Sequence, residues 1–376
     1  MNLPAAALRS HPNCLPAGTR IAEFEVTGLV GEGGFGIVYA ARDTALQRDL
    51  ALKEFMPTAI AGRVDGLHVA VRSAENQQKF EAGLQGFIKE ARLLARFTHP
   101  ALVKVYRFLE GNGTGYMAMR LYTGQTLAQR LARGETFDEA AMARTMLPIF
   151  DALEMLHREQ VFHRDIAPDN IMLSEAGSVL LDFGSARHVI GEDQALTAVL
   201  KPTYSPVEQY AADGSMRQGA WTDVYAMGSV LYHMATGRPP VQAVSRLMSD
   251  PLRTIREVSG NAFSPAFSDG IAKAMAVRVE DRVQSMQALR ELLGWRGRSA
   301  AASRPSNPPV WQPAAARPAP LQAGQRAMPT VSATLLARGI AESQRALRRV
   351  QDHPAWAVSA GLLLVIGAAL MVAWLW

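Results

Sequence analysis

Gly31, Gly33 and Gly36 stand at the spacing G-x-G-x-x-G within Gly31-Glu32-Gly33-Gly34-Phe35-Gly36. Glycines so placed let backbone amides approach phosphate oxygens with no Cβ in the way. The spacing alone also fits dinucleotide-binding loops and plain glycine-rich hairpins, so the residues after it carry the distinction. A dinucleotide loop opens a helix, whereas this one runs into Ile37-Val38-Tyr39-Ala40, a β-type run.

Seventeen residues after Gly36 comes Lys53, in Ala51-Leu52-Lys53-Glu54, and Glu90 follows in Phe87-Ile88-Lys89-Glu90-Ala91-Arg92. His163-Arg164-Asp165-Ile166-Ala167-Pro168-Asp169-Asn170 is followed, twelve residues past Asn170, by Asp182-Phe183-Gly184. Together these resemble the V-A-I-K strand, the H-R-D-x-K-P-x-N catalytic loop and the D-F-G motif of the protein kinase superfamily. The resemblance runs from about 24 to 293 and is closest to bacterial eukaryotic-like Ser/Thr kinases; the Pro168 context favours Ser/Thr over Tyr acceptors.

That resemblance implies transfer of the γ-phosphate of MgATP to Ser/Thr hydroxyls of protein substrates. Such transfer is mostly positioning plus charge neutralisation. Asp165 would accept the hydroxyl proton. Asn170 and Asp182 would hold Mg²⁺. Lys53 would contact the α- and β-phosphates and pair with Glu90, which suits kinase spacing better than Glu81 does. The nucleotide would lie among Val30, Gly31, Glu32, Gly33, Gly34, Phe35, Gly36, Val38, Ala51, Lys53, Met119, Leu121 and Leu173. Leu173 would pack beneath the adenine, Met119 would be the gatekeeper, and Arg120, Leu121 and Tyr122 the hinge. His163 reads as a structural hydrogen-bonder. Glu208, ending Tyr204-Ser205-Pro206-Val207-Glu208, is the expected buried partner of Arg282, and Asp223 the expected brace of the catalytic loop.

One departure matters. Ala167 replaces the lysine that the family places two residues after the catalytic Asp, where it neutralises charge on the transferring phosphate. Counting back from Glu208, Lys201 takes the family's threonine position and becomes a candidate catalytic residue, supplying the missing ammonium. The competing readings are a solvated loop charge at Lys201 and a catalytically weak pseudokinase acting as an ATP-binding membrane scaffold. A small-molecule phosphotransferase fits less well, because the activation segment is intact through Glu208. Arg164 could bind a phosphate on that segment, with Thr197 the best acceptor.

The elements that must position these groups follow from periodicity. Short β-type runs cover Phe24 to Val30, Ile37 to Ala41 and Leu50 to Glu54, then a helix spans about Phe80 to Phe97. Further strands fall near Leu102 to Leu109 and Tyr116 to Leu121. Between Thr126 and Leu293 helical spacing dominates, as in Ala140 to Glu159. The fold class is therefore α+β: a two-lobe protein kinase fold with a β-rich N-lobe, an α-helical C-lobe and a C-terminal transmembrane helix. Domain boundaries are a flexible N-terminal lead over 1–20 and a kinase domain over 21–295, the lobes meeting near 123–124. Residues 56 to 79 form an extra loop between strand and helix.

Residues 296–354 form an Ala/Pro/Arg-rich juxtamembrane linker. Residues 355–376 run for 22 positions without a charge, the length that crosses a bilayer core of ~30 Å. Trp356, Trp374 and Trp376 would mark the interfaces, and Arg345, Arg348 and Arg349 keep the kinase side cytoplasmic. The expectation is a single-pass protein of the bacterial inner membrane, touching the lipid bilayer through 355–376. The formal charge of +5 belongs to the tail: residues 1–295 carry 30 Lys and Arg against 32 Asp and Glu. No nucleic-acid partner is expected; self-association for autophosphorylation is. The single cysteine, Cys14, fits a reducing compartment, and Pro4, Pro12 and Pro16 break any signal-peptide core.

Overall fold

The computed structural model describes residues 12–182, 201–211 and 215–295. The linker, the 355–376 stretch, Thr197 and the Phe183-Gly184 pair lie outside the described residues. Among the described residues, no helix is long and apolar enough to cross a membrane.

Strands β1 (Arg20–Ile21), β2 (Phe24–Gly33), β3 (Gly36–Asp43), β4 (Arg48–Phe55), β7 (Val105–Gly111) and β8 (Thr114–Met119) form one antiparallel sheet in the order β1-β2-β3-β4-β8-β7. Burial alternates along β3, with Ile37, Tyr39 and Ala41 turned inward, the period of two a half-buried strand requires. Helix α1 (Gln77–Ala95) buries Phe80, Phe87, Ile88, Ala91 and Leu94, a stripe at helical spacing. Phe55 at the end of β4 meets Phe80 and Phe87 at centroid separations of 5.3 and 5.8 Å. This aromatic cluster fixes α1 against β4, and so sets Glu90 relative to Lys53.

The second half is helical around α4 (Ala220–Thr236). Its residues Thr222 to Tyr232 are buried without interruption, as in a helix surrounded by its own domain. Helix α2 (Leu127–Ala132) starts at a reciprocal cap between Thr126 and Gln129. Helix α3 (Glu139–Arg158) starts where the Asp138 carboxylate accepts the Ala141 amide at 2.6 Å. Shorter helices at Ile255–Ser259, Pro265–Ala274 and Met286–Leu292 complete this half. Three small strands, β9 (Gln125–Thr126), β10 (Ile171–Ser174) and β11 (Gly177–Leu180), interrupt the helical pattern. Within their sheet Ile171 pairs with Leu180, so the residues just outside the hairpin, Asn170 and Asp182, reach the same end of it.

Two expectations need correction. Residues 56 to 79 are not a plain loop: β5 (Ala61–Val64) and β6 (His68–Val71) pair as a hairpin, and α1 has begun by Gln77. Arg63 is the reason. Its guanidinium reaches the Glu54 carboxylate at 2.5 Å, and both side chains are essentially inaccessible. Nor is the lead loose where it is described. Asn13 accepts the Arg63 amide at 3.0 Å, the Leu15 amide donates to the Tyr39 hydroxyl at 3.1 Å, and Leu15 is buried.

Candidate active site

The glycine loop, Val38, Lys53, Phe87, Glu90, Asp169, Asn170 and Asp182 line a cavity of about 320 Å³. Lys53 is among its charged lining residues. Its ammonium donates to Asp182 Oδ1 at 2.8 Å and to Glu90 Oε1 at 3.5 Å, linking strand, helix and hairpin end. Glu90 is almost wholly buried, so its charge is compensated where water cannot do it. Glu81 instead accepts a bond from Gln77, one turn back on the same helix.

Asp165 is tied to this group through Asn170. The Asn170 amide group donates to its carboxylate at 2.6 Å and to its carbonyl at 2.8 Å. With the NH₂ so engaged, the carboxamide oxygen of Asn170 is the atom left to serve as a ligand. Paired with the Asp182 carboxylate, it offers the hard oxygen donors that suit Mg²⁺, whose other ligands in such sites are phosphates and water. Among the described residues there is no cluster of three or more His, Cys, Asp or Glu side chains suited to hold a metal by themselves.

Backbone strain lies at both edges. Arg164 has φ +64° and Asp182 φ +30°, left-handed values that cost a non-glycine residue about 1–3 kcal/mol. Buried Asp223 holds the first of these in place, accepting the His163 and Arg164 amides at 2.8 Å each and His157 Nε2 at 2.8 Å. Burial alone would raise the Asp223 pKa, but the bond and charge of His157 keep it below the ordinary carboxylate value. The Gln209 amide closes the turn by donating to the Arg164 carbonyl at 2.7 Å. His163 Nε2 donates to the Leu181 carbonyl at 2.9 Å while Nδ1 accepts the Asp165 amide at 3.3 Å. Both ring nitrogens are used, and burial pushes the imidazole pKa down, so His163 is a neutral strut.

Farther out, Glu208 is locked by Arg282 at 2.6 and 3.2 Å, with both side chains buried, and also accepts the Thr222 hydroxyl. Lys201 lies 2.8 Å from the Asp169 carboxylate and 3.5 Å from Asp165 Oδ2. Ala167 is fully buried.

Several expected nucleotide contacts are not among the residues lining the cavity. Ala51 and Met119 are register partners on β4 and β8, and with Leu173 they belong to the buried core. Leu121 is partly buried, and Val30 is 53% exposed. Conversely, Phe87, Asp169, His157 and Gln209 contribute without having been singled out. Phe87 and Asp169 lie within the quoted motifs but have no role assigned there; His157 and Gln209 carry no sequence signal, because their partners are 66 and 45 residues away.

A model of the protein kinase domain matches residues 24–293 of this chain. The serine/threonine-protein kinase PknD of Mycobacterium tuberculosis is 30% identical over 277 residues, covering 71% of this chain and 39% of PknD. The serine/threonine-protein kinase pkn3 of Myxococcus xanthus is 30% identical over 287 residues, covering 71% of this chain and 49% of the relative. Across these matches the chain spans about a third to a half of the relatives' length. A solved structure titled PpkA-294 apo form is similar with a TM-score of 0.70 and 45% identity, covering 75% of this chain and 99% of that one.

Proposed function

The chain belongs to the protein kinase family, and from that premise we propose that it transfers the γ-phosphate of MgATP to Ser and Thr hydroxyls of protein substrates. One observation carries the reading: Lys53 bridges Glu90 and Asp182 across the same cavity that Asn170 enters while holding Asp165. A polyphosphate in this cavity meets glycine-loop amides, the Lys53 ammonium and two oxygen ligands for Mg²⁺. Mg²⁺ held by Asn170 and Asp182 would neutralise phosphate charge, while the side chains orient the reactants and Asp165 takes the proton. Asp165, aimed by Asn170 and by the Asp223-braced turn, is the acceptor for the hydroxyl proton. Full-length protein incubated with radiolabelled ATP and a generic protein substrate should label Ser and Thr, and Asp165→Asn should abolish the labelling. Equal labelling by both proteins would refute the assignment.

The scaffold reading rests on Ala167, which leaves the catalytic loop without its expected cation. It requires nucleotide binding with no transfer, so the same assay separates the two.

We also propose that 355–376 anchors the chain in the bacterial inner membrane with the kinase domain cytoplasmic, where lateral self-association would allow autophosphorylation. The support is the length of the uncharged run and the arginines preceding it. Full-length protein should fractionate with membranes and resist carbonate extraction, and a chain ending at 354 should not. A freely soluble full-length protein would disprove the anchor.

A further inference from the structure

Phosphoryl transfer gathers negative charge on the equatorial oxygens of the moving group, and a fixed cation within reach is worth orders of magnitude in rate. Among the described residues around Asp165 the supply is limited. Lys53 is committed to Glu90 and Asp182. Arg164 is an exposed residue. Position 167 offers only a buried methyl group. Lys201, by contrast, lies beside the Asp165 carboxylate at 3.5 Å and salt-bridges Asp169 at 2.8 Å, with its side chain only 19% exposed.

The placement is built rather than incidental. The Lys201 carbonyl accepts the Tyr204 and Ser205 amides at 2.8 and 3.0 Å, closing a turn at the start of the 201–211 segment. The Tyr210 hydroxyl donates to the Pro202 carbonyl at 3.4 Å. Gln209 ties the same segment to the Arg164 carbonyl, and the Glu208–Arg282 pair anchors it to the helical half. The backbone that presents the ammonium is thus tied to the turn that presents Asp165.

We infer that Lys201 is the cation that contacts the transferring phosphate, supplied from the segment before Glu208 in place of the residue at 167. This rests on the kinase reading above and adds to it a residue that touches the reacting group. In the step, the substrate hydroxyl oxygen bonds to the γ-phosphorus and its proton passes to the Asp165 carboxylate. The bond between the γ-phosphorus and the bridging oxygen breaks, and its electron pair leaves on ADP. Lys201 keeps its proton throughout and moves from Asp169 toward the phosphoryl oxygens as their charge grows. Asp169 is its resting partner. Catalysis then depends on the Glu208 anchor more directly than it would with a cation in the catalytic loop, because the same segment carries the ammonium.

Single-turnover phosphoryl transfer at saturating MgATP should be measured for full-length wild type, Asp165→Asn, Lys201→Met, Lys201→Arg and the double variant Lys201→Met/Ala167→Lys, with nucleotide affinity measured alongside. Lys201→Met should lose roughly 10²- to 10³-fold in rate with nucleotide affinity within about threefold, since the contact forms with the moving phosphate. Lys201→Arg or the double variant should recover at least about tenfold of that loss, because either restores a cation. The inference is overturned if Lys201→Met stays within about twofold of wild type, or if neither restored cation is faster than Lys201→Met. A wild type no faster than Asp165→Asn would instead bring down the kinase reading, and this inference with it.

Discussion

Arg63 and Glu54 form a buried ion pair at 2.5 Å immediately behind Lys53, in which the β5–β6 hairpin braces the strand that carries this cavity-lining ammonium. The Glu54 carboxylate also accepts the Tyr39 hydroxyl at 2.9 Å. Removing Arg63 would leave a carboxylate with no access to water. Arg63→Ala should therefore cost on the order of 3–5 kcal/mol of stability, and Arg63→Met/Glu54→Gln much less. Urea unfolding checks this; a loss below about 1 kcal/mol for the single variant would show that the pair is not desolvated as described.

Lys53 and Glu90 should separate kinetically. Lys53→Met removes the charge that pairs with Asp182 and faces the cavity, so transfer should drop on the order of 10²-fold or more. Glu90→Gln leaves Lys53 with Asp182 and should lose less, with the deficit mainly in kcat/KM for ATP. A Glu90→Gln variant as impaired as Lys53→Met would mean that helix α1, not Asp182, sets the lysine's position.

The loop glycines differ. A Cβ on Gly36 would lie 2.6 Å from the Glu54 carbonyl oxygen, whereas a Cβ on Gly34 would meet nothing within 4 Å. Gly36→Ala should push β3 off β4 and weaken ATP binding on the order of tenfold or more, a cost of about 1–3 kcal/mol. Gly34→Ala should leave the protein's own packing intact. Isothermal titration with Mg-nucleotide distinguishes them, and equal effects would contradict the steric assignment.

Acid should destabilise the protein from the histidine side. Burial lowers the pKa of His163, and of the half-buried His99 and His233, below the ordinary 6.5. A group whose folded pKa is depressed binds more protons when unfolded across the interval between the two values. Stability is thus present above about 6.5 and is lost as pH falls below it. Denaturant midpoints at pH 7.5, 6.5 and 5.5 should decline, and His163→Gln should start lower at pH 7.5 yet decline less. A flat profile across that range would refute the neutral-strut assignment.

The motifs that carry the chemistry were legible because each is contiguous: Lys53 in its strand, Asp165 and Asn170 in one loop, Asp182 before Phe183. The aromatic contacts that set Glu90 against Lys53 were less so, since Phe55, Phe80 and Phe87 read as ordinary apolar positions until the packing relates them. The β5–β6 hairpin was illegible for a different reason. Its strands are four residues each, and what ties them down is long-range, Arg63 with Glu54 and Asn13 and the Val69 amide with the Asn112 carbonyl, rather than alternation. His157 is not legible because a histidine in the last turn of a helix reads as a dipole-complementing surface charge; here it reaches across to Asp223.

Asn13 and Leu15 also determine how the domain should be trimmed for expression. A fragment started at residue 24, where the family resemblance begins, would lose β1, strip the Asn13 acceptor from the Arg63 amide and open the pocket that Leu15 fills beside Tyr39. The damage would fall on the support behind the nucleotide lysine while every signature motif stayed in the recombinant product. Poor yield or weak nucleotide uptake from such a truncation would reflect the missing lead and not an inert enzyme.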